Sequence, residues 1–154
     1  MINQIYVSCK IYNSIFRAKD ILDSIMDSEY ENTKERLDKE YENASNWITD
    51  IIENPNRPKK NECEICNSDK KLEQHHVRGR KHGNEIITVC HECHETLTVN
   101  QRLWDRSWLD PNAENKEVFL VRGLIDVFEL KYKKTGQQFF DIIAKQLKRG
   151  FSYE

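Results

Sequence analysis

The segment from residue 63 to residue 93 begins and ends with the same cysteine spacing: CEIC at residues 63–66 and CHEC at residues 90–93. Cysteine pairs two residues apart are typical of zinc sites, and four thiolates complete a tetrahedral shell. The four ligands are Cys63, Cys66, Cys90 and Cys93. Because such a shell leaves no open position for a substrate, we predict a structural Zn²⁺ that holds this segment together.

Between the cysteine pairs the sequence predicts two short strands. LEQHHV at residues 72–77 and EIITV at residues 85–89 are short runs with the apolar and β-branched residues that favour strands. A helix is expected to follow from His91 towards Leu103. Two antiparallel strands and a helix, closed by one metal ion, would bring His75, His76 and His94 into one small region.

This arrangement resembles the HNH endonucleases, through the pattern Cys-x-x-Cys, Glu-x-His-His and Cys-x-x-Cys-His over residues 63–94. The resemblance implies the four-cysteine form of the ββα-metal core. It implies an enzyme that hydrolyses DNA phosphodiester bonds and leaves 5′-phosphate and 3′-hydroxyl ends. It also implies that His75 and His94 hold one catalytic divalent ion (Mg²⁺, Mn²⁺, Ni²⁺ or Zn²⁺), while His76 activates water as the general base.

These roles agree with the chemistry of imidazole. Neutral histidines bind several divalent transition metals, and a histidine that titrates near neutral pH can accept a proton from water. Consecutive strand residues point to opposite faces, so His75 can turn to the metal and His76 to the water. Both can reach one substrate only if the strand bends close to this pair.

The middle position of the pattern departs from the family. Its Asn usually lies five residues before the third cysteine, where this chain has Glu85, and Asn84 lies one residue earlier. The resemblance implies that this residue braces the loop and helps to orient the base, a role that falls here to Asn84, with bracing by another group as the alternative. For Glu85 we expect an exposed place at the strand edge, and a place near the catalytic ion is the alternative.

A basic turn, residues 78–83 (RGRKHG), follows directly after the histidine pair. Arg78, Arg80 and Lys81 are the candidate contacts to DNA phosphates, and a merely solvated loop is the alternative. Residues 1–56 carry eleven acidic and six basic side chains, so a polyanion is expected to bind the centre of the chain and not this region.

The flanking regions are predicted to be helical, which gives an α+β, predominantly helical fold with a small central core. Residues 1–56 form an N-terminal region whose stripe at residues 15–52 indicates a long amphipathic helix or a helical pair. It packs either against the C-terminal helices or against a second copy as a homodimer. Residues 57–110 form the nuclease core. Residues 111–154 supply two helices, the second with a capping box from Thr135 to Gln138.

Several other classes fit the sequence less well. The N-terminus lacks the basic and apolar segments of a signal peptide, so we expect a cytoplasmic protein with no membrane partner. CHECH at residues 90–94 matches a haem attachment pattern, but that use needs export and leaves the first cysteine pair unexplained. His91 and His94 do not form the His-Glu-x-x-His of zinc proteases. The rival that remains is a catalytically inactive, zinc-stapled module that binds nucleic acid or serves as a scaffold.

Overall fold

The computed structural model describes residues 2–25, 31–104 and 116–151. Along this part of the chain the elements are α1 (Ile2–Ile25), α2 (Glu31–Glu53), β1 (Leu72–His76), β2 (Ile86–Cys90), α3 (His91–Arg102), α4 (Lys116–Thr135) and α5 (Gln138–Gly150). The predicted fold class, α+β and mostly helical, is confirmed. None of the helices in the described ranges has an apolar run long enough to cross a bilayer.

The two strands pair in antiparallel fashion as predicted, with Leu72 opposite Cys90 and His76 opposite Ile86. Residues 87–90 of β2 are buried, which accounts for its run of β-branched side chains. Helix α3 starts directly after β2, and Cys90 keeps an extended backbone as its N-cap. The second cysteine pair therefore spans the junction of a strand and a helix.

The N-terminal helices pack within the chain. α1 lies against α5 and α4, and its Ile11, Ile15 and Ala18 are buried. Of the two expected arrangements for the N-terminal stripe, a helical pair against the C-terminal helices is the one observed. The homodimer through this region stays a prediction.

One hydrophobic core joins the three predicted regions of the chain. It includes residues of α1, α2, the cysteine-rich centre, α4 and α5. Trp47 of α2 packs edge-on against Phe128 and Phe140, at ring-centroid distances of 6.1 Å and 5.8 Å. The predicted limit between residues 56 and 57 follows the end of α2 at Glu53. The limit between residues 110 and 111 lies outside the described residues.

The predicted capping box at the start of the last helix is wrong. Thr135 is the final residue of α4, and its hydroxyl donates a hydrogen bond to the Lys131 carbonyl at 2.7 Å. Gly136 then adopts a left-handed backbone, φ 72°, which ends α4 and reverses the chain. Gln137 is the N-cap of α5 and makes no side-chain capping bond.

Asp126 gives the fold a pH dependence that can be measured. Trp104 is buried, and its Nε1 donates to Asp126 Oδ2 at 2.9 Å. Burial, aided by Glu129, raises the pKa of Asp126 from 3.8 to about 6, against the opposing effects of Trp104, Arg122 and Lys148. The folded state therefore favours the protonated acid, and the stability this group contributes at low pH is lost as the pH rises through about 6.

We expect Asp126→Asn to remove this loss, because asparagine keeps an oxygen acceptor for Trp104 and carries no charge. The free energy of unfolding at a pH of about 8 should rise by roughly 1–3 kcal/mol. At a pH of about 4, Asp126 in the folded protein is protonated and, like asparagine, carries no charge. The change in the free energy of unfolding should therefore be small. Urea unfolding at the two pH values measures this difference. An equal effect at both pH values would contradict the assignment.

Candidate functional site

The four predicted cysteines lie together. Their Sγ atoms are all within 4.8 Å of one another, with Cys66 3.6 Å from Cys90 and 3.8 Å from Cys93. Four sulfurs about 2.3 Å from a central Zn²⁺ in a tetrahedron are separated by about 3.8 Å, so the spacing fits such an ion. The cluster can hold a metal ion, and its donor set is one that zinc prefers.

The electrostatics of the cluster also favour a bound cation. A hydrogen bond from Cys93 lowers the pKa of Cys63 to about 4, even though burial opposes this shift. Burial raises the pKa of Cys66, whereas the hydrogen bond to Cys63 is the main reason that the pKa of Cys93 is raised. Cys63 therefore ionises readily, and its negative charge opposes the ionisation of Cys66 and Cys93. A metal ion removes this opposition because it stabilises all four thiolates.

Glu64 connects the first cysteine pair to the rest of the protein. Its buried carboxylate accepts hydrogen bonds from Trp47 Nε1 at 2.9 Å, from the Arg57 guanidinium, and from the Thr88 backbone N–H at 2.6 Å. Burial alone would raise the pKa of Glu64, but Thr88, Lys60 and Arg57 lower it below its ordinary value. Glu64 therefore remains charged and ties α2, the segment before the first cysteine and β2 to the cluster.

The three predicted histidines meet beside the end of β1. The rings of His75 and His94 lie edge to face, with centroids 5.3 Å apart and planes at 82°. Two imidazoles that bind one ion through nitrogens about 2.1 Å away have centroids roughly 4.5–5.5 Å apart, so the spacing of these two rings would allow one shared ion. His76, the next residue after His75, lies close enough to His94 for the two charges to interact.

Glu73 orients one of the two candidate ligands. Its carboxylate lies 3.2 Å from Nδ1 of His94 and 2.7 Å from Nδ1 of His91. A carboxylate at Nδ1 of a histidine leaves Nε2 as the atom available to a metal, which is a common arrangement in metal sites. Glu73, the glutamate of the Glu-x-His-His pattern, therefore contributes to the orientation of the His94 ring.

Burial keeps both histidines of β1 neutral near pH 7. It lowers the pKa of His75 to about 3, with smaller contributions from His94 and His76. His76 is partly exposed, and burial, Arg80 and His94 lower its pKa more strongly than Glu85 raises it. A neutral His75 can donate an electron pair to a metal, and a neutral His76 can accept a proton.

The middle position of the pattern differs from expectation. Glu85, expected to be exposed at the strand edge, is only 7% exposed, and its carboxylate accepts a hydrogen bond from the Arg78 guanidinium. A buried carboxylate needs such a partner, which explains why the side chain turns inward. Asn84 is exposed. The charge of Glu85 acts on His76, so of these two residues Glu85 is the one with an electrostatic link to the candidate base.

The basic turn presents half of its side chains to solvent. Arg80 and Lys81 are exposed. Arg78 is 7% exposed and held by Glu85, and His82 is buried with its ring stacked on Phe119 of α4 at 4.3 Å. Of the three predicted phosphate contacts, Arg80 and Lys81 are therefore the two that are exposed, while Arg78 and His82 attach the turn to the protein.

Gln101 also belongs to the site, although no motif singles it out. Its side chain on α3 is buried, and its Nε2 lies 3.1 Å from Nε2 of His75. It follows His94 by seven residues, two helical turns, so it lies on the same face of α3. That seven-residue spacing was the sequence signal that could have identified Gln101.

Comparisons of the chain with protein-family models, curated proteins and solved structures give no match.

Proposed function

We propose that the chain is a metal-dependent endonuclease of the HNH type that hydrolyses DNA phosphodiester bonds. The observation that carries this proposal is the cluster of His75, His76 and His94, with two rings spaced for one shared ion and a third, neutral imidazole beside them. The exposed cations Arg80 and Lys81 in the adjacent turn supply the charge that a phosphate backbone requires.

In this proposal the two candidate metal sites have separate tasks. The four cysteines hold a structural Zn²⁺, and their four thiolates leave no position for substrate. His75 and His94 would hold the catalytic divalent ion, and a site with two protein ligands would leave room for phosphate and water. When bound, this ion supplies positive charge for the phosphate group as negative charge builds up during the reaction.

The chain's own residues would bind the phosphate and move the proton. Arg80 and Lys81 hold the DNA backbone next to the histidines. His76 is neutral because its pKa is lowered, and its unprotonated ring nitrogen takes a proton from the attacking water. The resulting hydroxide attacks phosphorus in line with the 3′ oxygen, the bond between phosphorus and the 3′ oxygen breaks, and that oxygen takes a proton from solvent to give the 3′-hydroxyl end. Arg78 and Glu85 keep the turn in place beside the base.

A second candidate function is a zinc-stapled module that binds nucleic acid or serves as a scaffold without cleaving it. The exposed Asn84 and the internal pairing of Glu85 with Arg78 favour this candidate, because the middle position then lacks the family's amide. The nuclease and the nucleic-acid-binding form of this module both predict binding to nucleic acid, whereas a scaffold does not. Cleavage distinguishes them.

The test is cleavage of supercoiled plasmid by the zinc-loaded protein with added Mg²⁺, Mn²⁺ or Ni²⁺, or with EDTA. We expect nicked or linear products with at least one divalent ion and none with EDTA. His94→Ala should reduce cleavage strongly, because one of two protein ligands is lost. The reduction should be partly reversed at higher ion concentration.

His91→Ala is the matched control, since His91 lies on the same helix, contacts the same Glu73 and is not assigned to the ion. This variant should cleave nearly as well as the wild type. Absence of cleavage of plasmid, branched and single-stranded DNA by folded, zinc-loaded protein would reject the nuclease in favour of the binding module.

A further inference from the structure

The end of β1 is held between two helices at the point where the candidate catalytic histidines lie. Gln101 of α3 contacts it through hydrogen bonds, and Gly123 of α4 contacts it through close packing. These contacts act on the backbone of His76 and Val77. They therefore bear on the geometry of the histidine pair itself.

Gln101 fixes a bend in the backbone. Its Nε2 donates to the carbonyl oxygens of His76 at 2.8 Å and Val77 at 3.2 Å. In a regular strand consecutive carbonyls point to opposite sides, so one nitrogen can reach both only where the chain leaves the extended conformation. The bend comes directly after the pair, because His75 and His76 both remain in the ladder, opposite Ile87 and Ile86. The same nitrogen lies 3.1 Å from Nε2 of His75, so a single side chain contacts both residues of the pair.

Gly123 sets how closely α4 approaches this bend. A methyl group on Gly123 would lie 1.9 Å from the Val77 carbonyl oxygen and 2.6 Å from the Val77 carbonyl carbon. Both atoms belong to backbone, so a side chain here could be accommodated only if β1 or α4 moved by roughly 1 Å. Val77 is fully buried and its N–H donates to the Glu85 carbonyl at 2.8 Å, so it cannot move without disturbing β2.

We propose that Gln101 and Gly123 are positioning residues for the histidine pair. Gln101 holds the bend through the two carbonyls, and Gly123 allows α4 to pack closely against the Val77 carbonyl. The inference rests on the proposed nuclease function for its effect on catalysis. It extends that function, because it makes the C-terminal helix α4 part of the machinery that places the general base.

The first test is Gly123→Ala, assayed for cleavage of a DNA duplex with the zinc-loaded protein. A displacement of about 1 Å at a catalytic group can reduce the rate about 100-fold. We expect kcat to fall by about this factor while KM for DNA is unchanged, since Arg80 and Lys81 are not altered. Gly150→Ala is the matched control, because Gly150 is also helical and a methyl group there meets no atom within 4 Å.

The second test is Gln101→Met, which keeps the length of the side chain and removes the N–H donors. It should also lower kcat without changing KM. Because it adds no steric clash, it decides the question if Gly123→Ala does not fold. Equal kcat for wild type and Gln101→Met would overturn the inference.

A readout independent of cleavage separates this inference from the proposed function. Imidazole signals of His75 and His76 in NMR spectra of the zinc-loaded protein should shift in Gly123→Ala and Gln101→Met and stay unchanged in Gly150→Ala. If the wild type cleaves no DNA but the signals shift in this way, the nuclease proposal fails and the positioning of the histidine pair stands. Unchanged signals in both variants would overturn the positioning.

Discussion

Cys93→Ser is expected to abolish Zn²⁺ binding and, with it, the folded centre of the protein. Cys93 is fully buried in the first turn of α3 and lies in hydrogen-bonding distance of other sulfurs of the cluster. Serine is a poor zinc ligand at neutral pH, and three thiolates packed together repel one another without a metal ion. The apparent binding free energy of a structural Zn²⁺ is about 10–16 kcal/mol, comparable to or larger than the total stability of a typical domain.

The loss should appear in three measurements. Bound zinc measured by atomic absorption should fall from one equivalent to none, the thermal transition should broaden or disappear, and a chelator should have the same effect on the wild type. Cys9→Ser is the control, because Cys9 is exposed on α1 and far in sequence from the cluster. A Cys93→Ser protein with wild-type zinc content and melting temperature would show that the cluster does not stabilise the fold through a metal ion.

His76→Ala is expected to reduce the rate of DNA cleavage by roughly 10²–10⁴-fold, the usual contribution of a general base. The two proposed ligands of the catalytic ion, His75 and His94, are unchanged in this variant, so binding of that ion should persist. Burial, Arg80 and His94 lower the pKa of His76, so it is neutral at pH 7 and becomes protonated only as the pH falls below its ordinary 6.5. Wild-type kcat should therefore decrease on the acidic side of this value, and the decrease should be absent in His76→Ala.

Single-turnover cleavage across a pH series measures both effects, and isothermal titration with Mn²⁺ measures the ion. Gln74→Ala is the matched control, because Gln74 is an exposed residue of the same strand. It should keep both the rate and the pH profile. Cleavage by His76→Ala at the wild-type rate would remove the base from the mechanism and leave a different group to activate water.

The local patterns of the sequence predicted most of the secondary structure. Cysteine spacing identified the cluster, β-branched residues identified β2, and the periodicity of residues 15–52 identified the N-terminal helices. These signals depend on near neighbours in the chain. The capping box failed because Gly136 can turn the backbone sharply, which made Thr135 an end of α4 and not a start of α5.

Contacts between distant residues were not predictable in the same way. Gly123 has its significance only because Val77, 46 residues earlier, packs against it. Glu85 and Arg78 were assigned to the surface as single charged residues, yet both are buried, and the Arg78 guanidinium donates a hydrogen bond to the Glu85 carboxylate across the strand connection. A charge can be buried when its partner is known, and one sequence does not identify the partner. Assignments that depend on a pair of residues are therefore the ones that changed.

The register of β1 and β2 is fixed from the end that carries the cysteines. Leu72 pairs with Cys90 at that end, whereas His76 pairs with Ile86 next to the connection of the two strands. In an ordinary hairpin the length of the turn sets the register, and a slip of one residue reverses every side chain. Here an insertion between the exposed Arg80 and Lys81 would leave the pairing near the cluster unchanged. The connection can therefore change in length without shifting the strand pairing next to the cysteine cluster.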